Sequence, residues 1–211
     1  MKKLFLSIVL LLLITNISFA QKQIFESPKM KGAIEKHKIV AILPFNVSLS
    51  YKHPPKNYSA EGNRQQEIEM SKSIQTSMYT YLLRKSKDYS VDFQDVEKTN
   101  ILLKKAGIYD KLDQVTKDTV AKVLGVDAVV SGDFQNMQTK SEAAAITMVI
   151  LTSGFGSKTG SGNLVMNIHD GSNGDLLWRF SKTMDEGLGR STDELVEKMM
   201  RKVSRNFPYS K

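Results

Sequence analysis

The chain has no cysteine. That excludes disulfides, thiolate metal ligands and a cysteine nucleophile, so stability has to come from packing alone. It also excludes the acylated cysteine that anchors bacterial lipoproteins, because Gln21 stands where that residue would be needed. The three histidines, His37, His53 and His169, lie far apart, with no partner at ligand spacing, so no metal site is expected. The apolar run Leu4–Ile14 falls short of the ~20 residues needed to span a bilayer as a helix, and no later run is long and apolar enough either.

What is present at the start reads as an export signal. Met1-Lys2-Lys3 is basic, Leu4 to Ile14 is apolar, and Ser18-Phe19-Ala20 offers small residues for cleavage. We therefore expect residues 1–20 to be a signal peptide, 21–37 an N-terminal arm, and 38–207 a single domain, periplasmic or secreted and not a lipoprotein. The formal charge is +8, and +6 without Lys2 and Lys3. In an exported chain this favours anionic envelope surfaces rather than nucleic acid, although a solubilising excess of lysine explains most of it.

Periodicity predicts the elements. Ile39 to Phe45 is continuously apolar, as in a strand covered on both faces, and Pro44 weakens pairing near its end. Ser48 to Arg64 is rich in Ser, Lys, Pro and Asn and reads as a loop, with Tyr51 and Tyr58 beside Lys52, His53 and Lys56. From Gln65 to Lys87, Met70, Ile74, Met78, Tyr81 and Leu82 recur at helical steps. Tyr89, Val91 and Phe93 alternate as a short strand. Asp95 and Gly107 bracket one helix, and a second runs from Leu112 to Leu124. Gly125 ends that helix, and a strand follows from Val126 to Phe134. Leu164–Ile168 and Leu176–Phe180 alternate around the turn Asp170–Asp175, which predicts a hairpin with Trp178 on its core side. Ser191 and Glu194 form a capping box for a last helix ending near Pro208. The fold class expected is α/β (α+β): a single mixed sheet of four to five strands packed by helices, with a C-terminal hairpin and a final helix.

Ala143 to Leu151 is apolar nearly throughout, and periodicity does not decide between helix and strand there. Its Ile146, Val149, Ile150 and Leu151, with Phe155, are the candidate partner interface, because more apolar residues adjoin than one helix face needs.

Motifs of chemistry fail when tested. Gly154 to Gly160 carries Lys158 after Ser157, where a phosphate loop has glycine, and the next element is a strand. The Asp170–Asp175 stretch lacks the spaced oxygen ligands of a calcium loop. No Gly-x-Ser-x-Gly presents a nucleophile for His169 and Asp170. No catalytic residue and no cofactor site is expected.

The sequence of Ile39-Val40-Ala41-Ile42-Leu43-Pro44-Phe45, then Leu124-Gly125-Val126-Asp127-Ala128-Val129-Val130-Ser131-Gly132, then Gly174-Asp175-Leu176-Leu177-Trp178 resembles the bacterial envelope superfamily that includes the curli secretion channel CsgG and the penicillin-binding-protein activator LpoB. The resemblance implies a mixed sheet packed by helices, an envelope location, no catalysis, and work done through an envelope protein partner or self-assembly. This chain departs from the family's pattern in its missing lipidation cysteine and in having no pair of long alternating hairpins for a membrane barrel. The alternative reading is an envelope glycan-binding or glycan-modifying protein using the Tyr51–Tyr58 loop.

Overall fold

The computed structural model describes residues 23–54, 56, 58–138, 160–184 and 192–211. Seven strands form one open mixed sheet: β1 (Gln23–Glu26), β2 (Ile39–Ile42), β3 (Asn46–Tyr51), β4 (Asp92–Phe93), β5 (Ala128–Gln138), β6 (Gly160–Asp170) and β7 (Leu176–Met184). The helices are α1 (Met30–Ile34), α2 (Ala60–Arg84), α3 (Val96–Lys105), α4 (Lys117–Leu124) and α5 (Thr192–Val203). The strand order is β1-β7-β6-β5-β2-β4, with β3 also paired to β5.

β5 is the axis of the sheet. On one side it pairs along its whole length with β6, from Ala128↔Asp170 to Gln138↔Gly160. On the other side β2 runs parallel to its first residues and β3 to the rest, with a jog at Leu43–Phe45 between them. Pro44 sits in this jog, where its missing N–H removes no ladder bond. Gly125, at φ +66, closes α4 and allows Val126 N–H to reach Ala121 O at 3.1 Å before β5 begins.

The alternation of each strand divides the core in two. Val40, Ile42, Phe134, Met166, Ile168, Trp178 and Phe180 face α2 and α5, whose Ile74, Met78, Leu82, Val196, Met199 and Val203 complete the larger cluster. Ala41, Leu43 and Val129 face the other way, against Leu103 of α3 and Val120, Ala121 and Leu124 of α4. Trp178 is fully buried, as the hairpin pattern predicts. Among the described residues, the second layer covers only the start of β5. Beyond it, outward positions carry polar side chains such as Asn46, Ser48, Gln135 and Arg179.

Several expectations need correction. The sheet has two strands beyond the five anticipated, β1 and β3. Within the stretch read as an N-terminal arm, residues 23–34 form an edge strand and a short helix. The loop expected from Ser48 to Arg64 instead continues β3 to Tyr51 and starts α2 at Ala60 behind the cap Ser59, whose Oγ accepts Gly62 N–H at 3.0 Å. α4 begins at Lys117, because Leu112 and Val115 pack against the smaller cluster from irregular backbone. β3 is an edge strand closed by side chains: Glu67 accepts Leu49 N–H at 2.9 Å, and Asn63 donates to Leu49 O at 3.2 Å.

Candidate functional site

The proposed interface residues Ile146, Val149, Ile150, Leu151 and Phe155 lie outside the described residues. The two strands that flank them in sequence, β5 and β6, are paired in register to Gln138 and Gly160. Residues 139–159 therefore join the far ends of the sheet's longest hairpin.

Two other places gather polar chemistry. The first is an open groove of about 580 Å³ at the jog between β2 and β3. Its walls include Asn46, Arg64 and Glu67 on one side, Asp113 and Lys117 on the other, and Asp133, Asn167 and His169 on the sheet. The Nζ of Lys117 donates to Leu112 O at 2.7 Å, and burial lowers the pKa of its amine against the opposing pull of Asp113 and Asp133. Burial likewise lowers the pKa of His169, whose Nδ1 lies 3.2 Å from Gly174 O. Asn46 Nδ2 donates to Asp133 Oδ1 at 3.1 Å, and Arg179 donates to Asn167 at 3.2 Å. These side chains largely satisfy one another, and no acid, base and nucleophile are aligned among them.

The second is enclosed at the base of the sheet. His37 Nδ1 lies 2.8 Å from the hydroxyl of Tyr209, and its Nε2 lies 3.8 Å from Asp170 Oδ2. Asp170 closes the β6–β7 turn by accepting Ser172 N–H at 2.7 Å and Ser172 O–H at 2.6 Å. Asp127 Oδ2 accepts the backbone N–H of Lys38 at 2.7 Å and of Ile39 at 2.9 Å, which starts β2 beside β5. Gly171 N–H donates to Asp127 O at 2.7 Å, an approach so close that a Cβ on Gly171 would lie 2.6 Å from that oxygen. Carboxylate, imidazole and hydroxyl thus stand in the order of a hydrolytic relay. Tyr209 is fully buried, however, so no substrate atom can reach its hydroxyl. The arrangement is a clasp joining the approach to β2, the hairpin turn and the C-terminal segment.

Burial sets the charge state of the clasp. It lowers the pKa of His37 more than Asp170 and Asp127 raise it, so the imidazole is neutral near pH 7. Burial raises the carboxyls of Asp127 and Asp170, but hydrogen bonds reverse the shift: those from Ile39 and Lys38 for Asp127, and those from Ser172 for Asp170. Both stay ionised. Asp127→Asn, which keeps an acceptor but removes the charge from two backbone bonds, is expected to cost about 1 kcal/mol. A urea midpoint unchanged from wild type would contradict that role for the carboxylate.

Sequence reasoning placed the three histidines far apart and missed this clasp. His37 and Tyr209 are separated by 172 positions, and neither stands in a local pattern. The Asp170–Asp175 stretch is a turn, as expected, with Gly174 at φ +77. In the Tyr51–Tyr58 loop the two rings pack edge to face at 5.8 Å, and Tyr51 bonds Gln66 at 3.3 Å. Among the described residues no group of three or more His, Cys, Asp or Glu is placed to hold a metal ion, and no helix is long and apolar enough to cross a membrane.

No protein-family model matches the chain, and no curated protein matches it. Solved structures do. Lipoprotein GNA1162 from Neisseria meningitidis is similar at 13% identity, covering 82% of this chain and 99% of that one, with a TM-score of 0.44. The PelC dodecamer from Paraburkholderia phytofirmans is similar at 15% identity over 85% of this chain and 94% of that one, with a TM-score of 0.39. The C-terminal domain of LpoB from Salmonella enterica is similar at 10% identity over 74% and 94%, with a TM-score of 0.35. The resemblance read from the sequence names LpoB as a member, and these neighbours include it. Likeness at this level assigns neither a family nor an activity.

Proposed function

We propose that this chain is an exported, non-enzymatic module of the cell envelope that acts through protein contacts, as an accessory or assembly subunit. The carrying observation is the β5–β6 hairpin. Its strands are paired to their ends at Gln138 and Gly160, and the sequence between them contains the apolar run Ala143–Leu151. The proposal takes Ile146, Val149, Ile150, Leu151 and Phe155 of that run as the surface that meets a partner protein or a second copy. The basic, apolar and small-residue start of the sequence supports export.

The test is Val149→Ser with Ile150→Ser. The variant is expected to keep its circular dichroism spectrum but to lose higher mass by light scattering, or capture of envelope proteins. A folded variant with unchanged mass and unchanged capture would remove the interface.

A further inference from the structure

We propose that the corner where α2, α5 and the C-terminal segment end is a docking surface for an anionic phospholipid bilayer. It uses the exported reading only for where such a bilayer is met. The fold brings together three stretches that are remote in sequence. Lys211 donates from its backbone N–H to Asp88 O at 2.9 Å and from Nζ to Lys87 O at 3.3 Å. Ser210 bridges to Tyr89 and bonds Ser204 O at 3.2 Å, which sets Arg205 beside the C-terminal segment. Arg84 bonds Glu197 at 2.7 Å, a step of four from Glu197 reaches Arg201 on the same side of α5, and Arg205 follows in the short turn Ser204–Asn206 that ends the helix.

The exposed cationic side chains of this corner are thus Arg84, Lys85, Lys87, Arg201, Arg205 and Lys211. The acids beside them are Asp88, Glu197 and Glu194, the last lining the same cleft as Arg84 and Glu197, and the six cations outnumber them. Helix C-termini at Arg84 and Val203 favour cations locally, which accounts for one or two of them but not for those on Lys87 and Lys211. Leu83, 47% exposed, lies beside Arg84. An apolar side chain among cations suits the boundary between headgroups and acyl chains, whereas a free anion has no use for it. The cations are spread over three segments instead of converging on one point, which also fits an extended surface. Each is worth about fivefold in affinity near a negatively charged leaflet.

The chain from Gln21 onward, which contains every described element, is to be sedimented with phosphatidylglycerol/phosphatidylcholine vesicles and with pure phosphatidylcholine vesicles. Binding is expected only to the first, and it should weaken as salt rises. Lys87→Glu, Arg201→Glu and Arg205→Glu together should weaken it more than tenfold. Lys98→Glu, Lys104→Glu and Lys105→Glu, an equal change of net charge on α3, should leave most of it. Glutamine at the first three positions gives the same comparison if the glutamate variant unfolds. No binding by the wild-type chain, or equal loss in both triple variants, overturns the proposal. Neither result bears on the assembly measured with the Val149 and Ile150 variants.

Discussion

Gly132→Ala is expected to cost about 3 kcal/mol of folding stability, at the upper end for an overpacked core site. A Cβ at this position would meet three atoms of the Phe45 ring, Cε1 most closely, then Cδ1 at 2.5 Å and Cζ at 2.7 Å. Relief by movement of the ring is blocked on several sides. Phe45 is 2% exposed and its carbonyl is held by Ser71 Oγ at 2.5 Å. It also lies in the short jog between β2 and β3, so a shift would disturb both parallel pairings to β5. Gly132 is not among the glycines with positive φ, so alanine meets no backbone obstacle. The gain from a less flexible unfolded chain is at most about 1 kcal/mol and does not decide the sign. Phe45→Ala alone should cost about 3–5 kcal/mol through its cavity. In that background Gly132→Ala should cost less than about 1 kcal/mol. Chemical denaturation of the four chains measures the coupling, and simple additivity would mean that the ring is not what keeps position 132 free of a side chain.

His37→Leu should both lower stability and flatten its response to acid. Leaving the buried hydroxyl of Tyr209 and the carboxylate of Asp170 against an apolar neighbour should cost about 2 kcal/mol near pH 8. The pH response follows from the depressed pKa of the folded imidazole. The unfolded chain takes up a proton near pH 6.5 and the folded chain does so only at lower pH, so stability is complete above 6.5 and falls as pH drops below it. His169 adds to the same window, since its pKa is also lowered. Asp127 and Asp170 act later: their depressed carboxyls stabilise the fold above their ordinary value of 3.8 and cease to do so as pH falls below it. Wild-type melting temperature should therefore decline in two stages on acidification. His37→Leu should remove much of the first stage, and adding His169→Leu most of the remainder. Parallel melting curves for the wild type and the double variant between pH 8 and 5 would show that neither imidazole governs acid stability.

Local signals made the second half of the fold readable. Asp95 caps α3 by accepting Lys98 N–H at 2.9 Å, Gly125 adopts the left-handed conformation, and the β6–β7 hairpin buries Trp178 and Phe180. Each depends on residues a few positions apart. β3 was hidden for the opposite reason. Val47, Leu49 and Tyr51 do alternate with Asn46, Ser48 and Ser50, but a serine-rich, lysine- and proline-flanked stretch suggests a loop until Glu67 and Asn63 are seen closing its free edge. Leu112 and Val115 misled in another way, since apolar spacing records what is buried and not whether the backbone is helical. The clasp had no local signal at all, because His37, Asp127, Asp170 and Tyr209 meet only after the sheet has formed. The basic corner also requires the ends of α2 and α5 to be adjacent. The candidate interface is a property of composition in residues 139–159, and it was legible only as that.

β5 gives the molecule a length as well as an axis. Its 11 residues, supported by partners on both sides, extend about 33 Å at roughly 3.3 Å per residue. The clasp and the cationic corner lie toward its first residue, while Gln138, paired with Gly160, ends it at the other. A molecule held by one end therefore presents the other at a fixed standoff of about three nanometres, set by backbone hydrogen bonds instead of a tether. Lengthening or shortening β5 and β6 by matched pairs of residues would change that reach in steps of about 7 Å while keeping the same side chains facing the core.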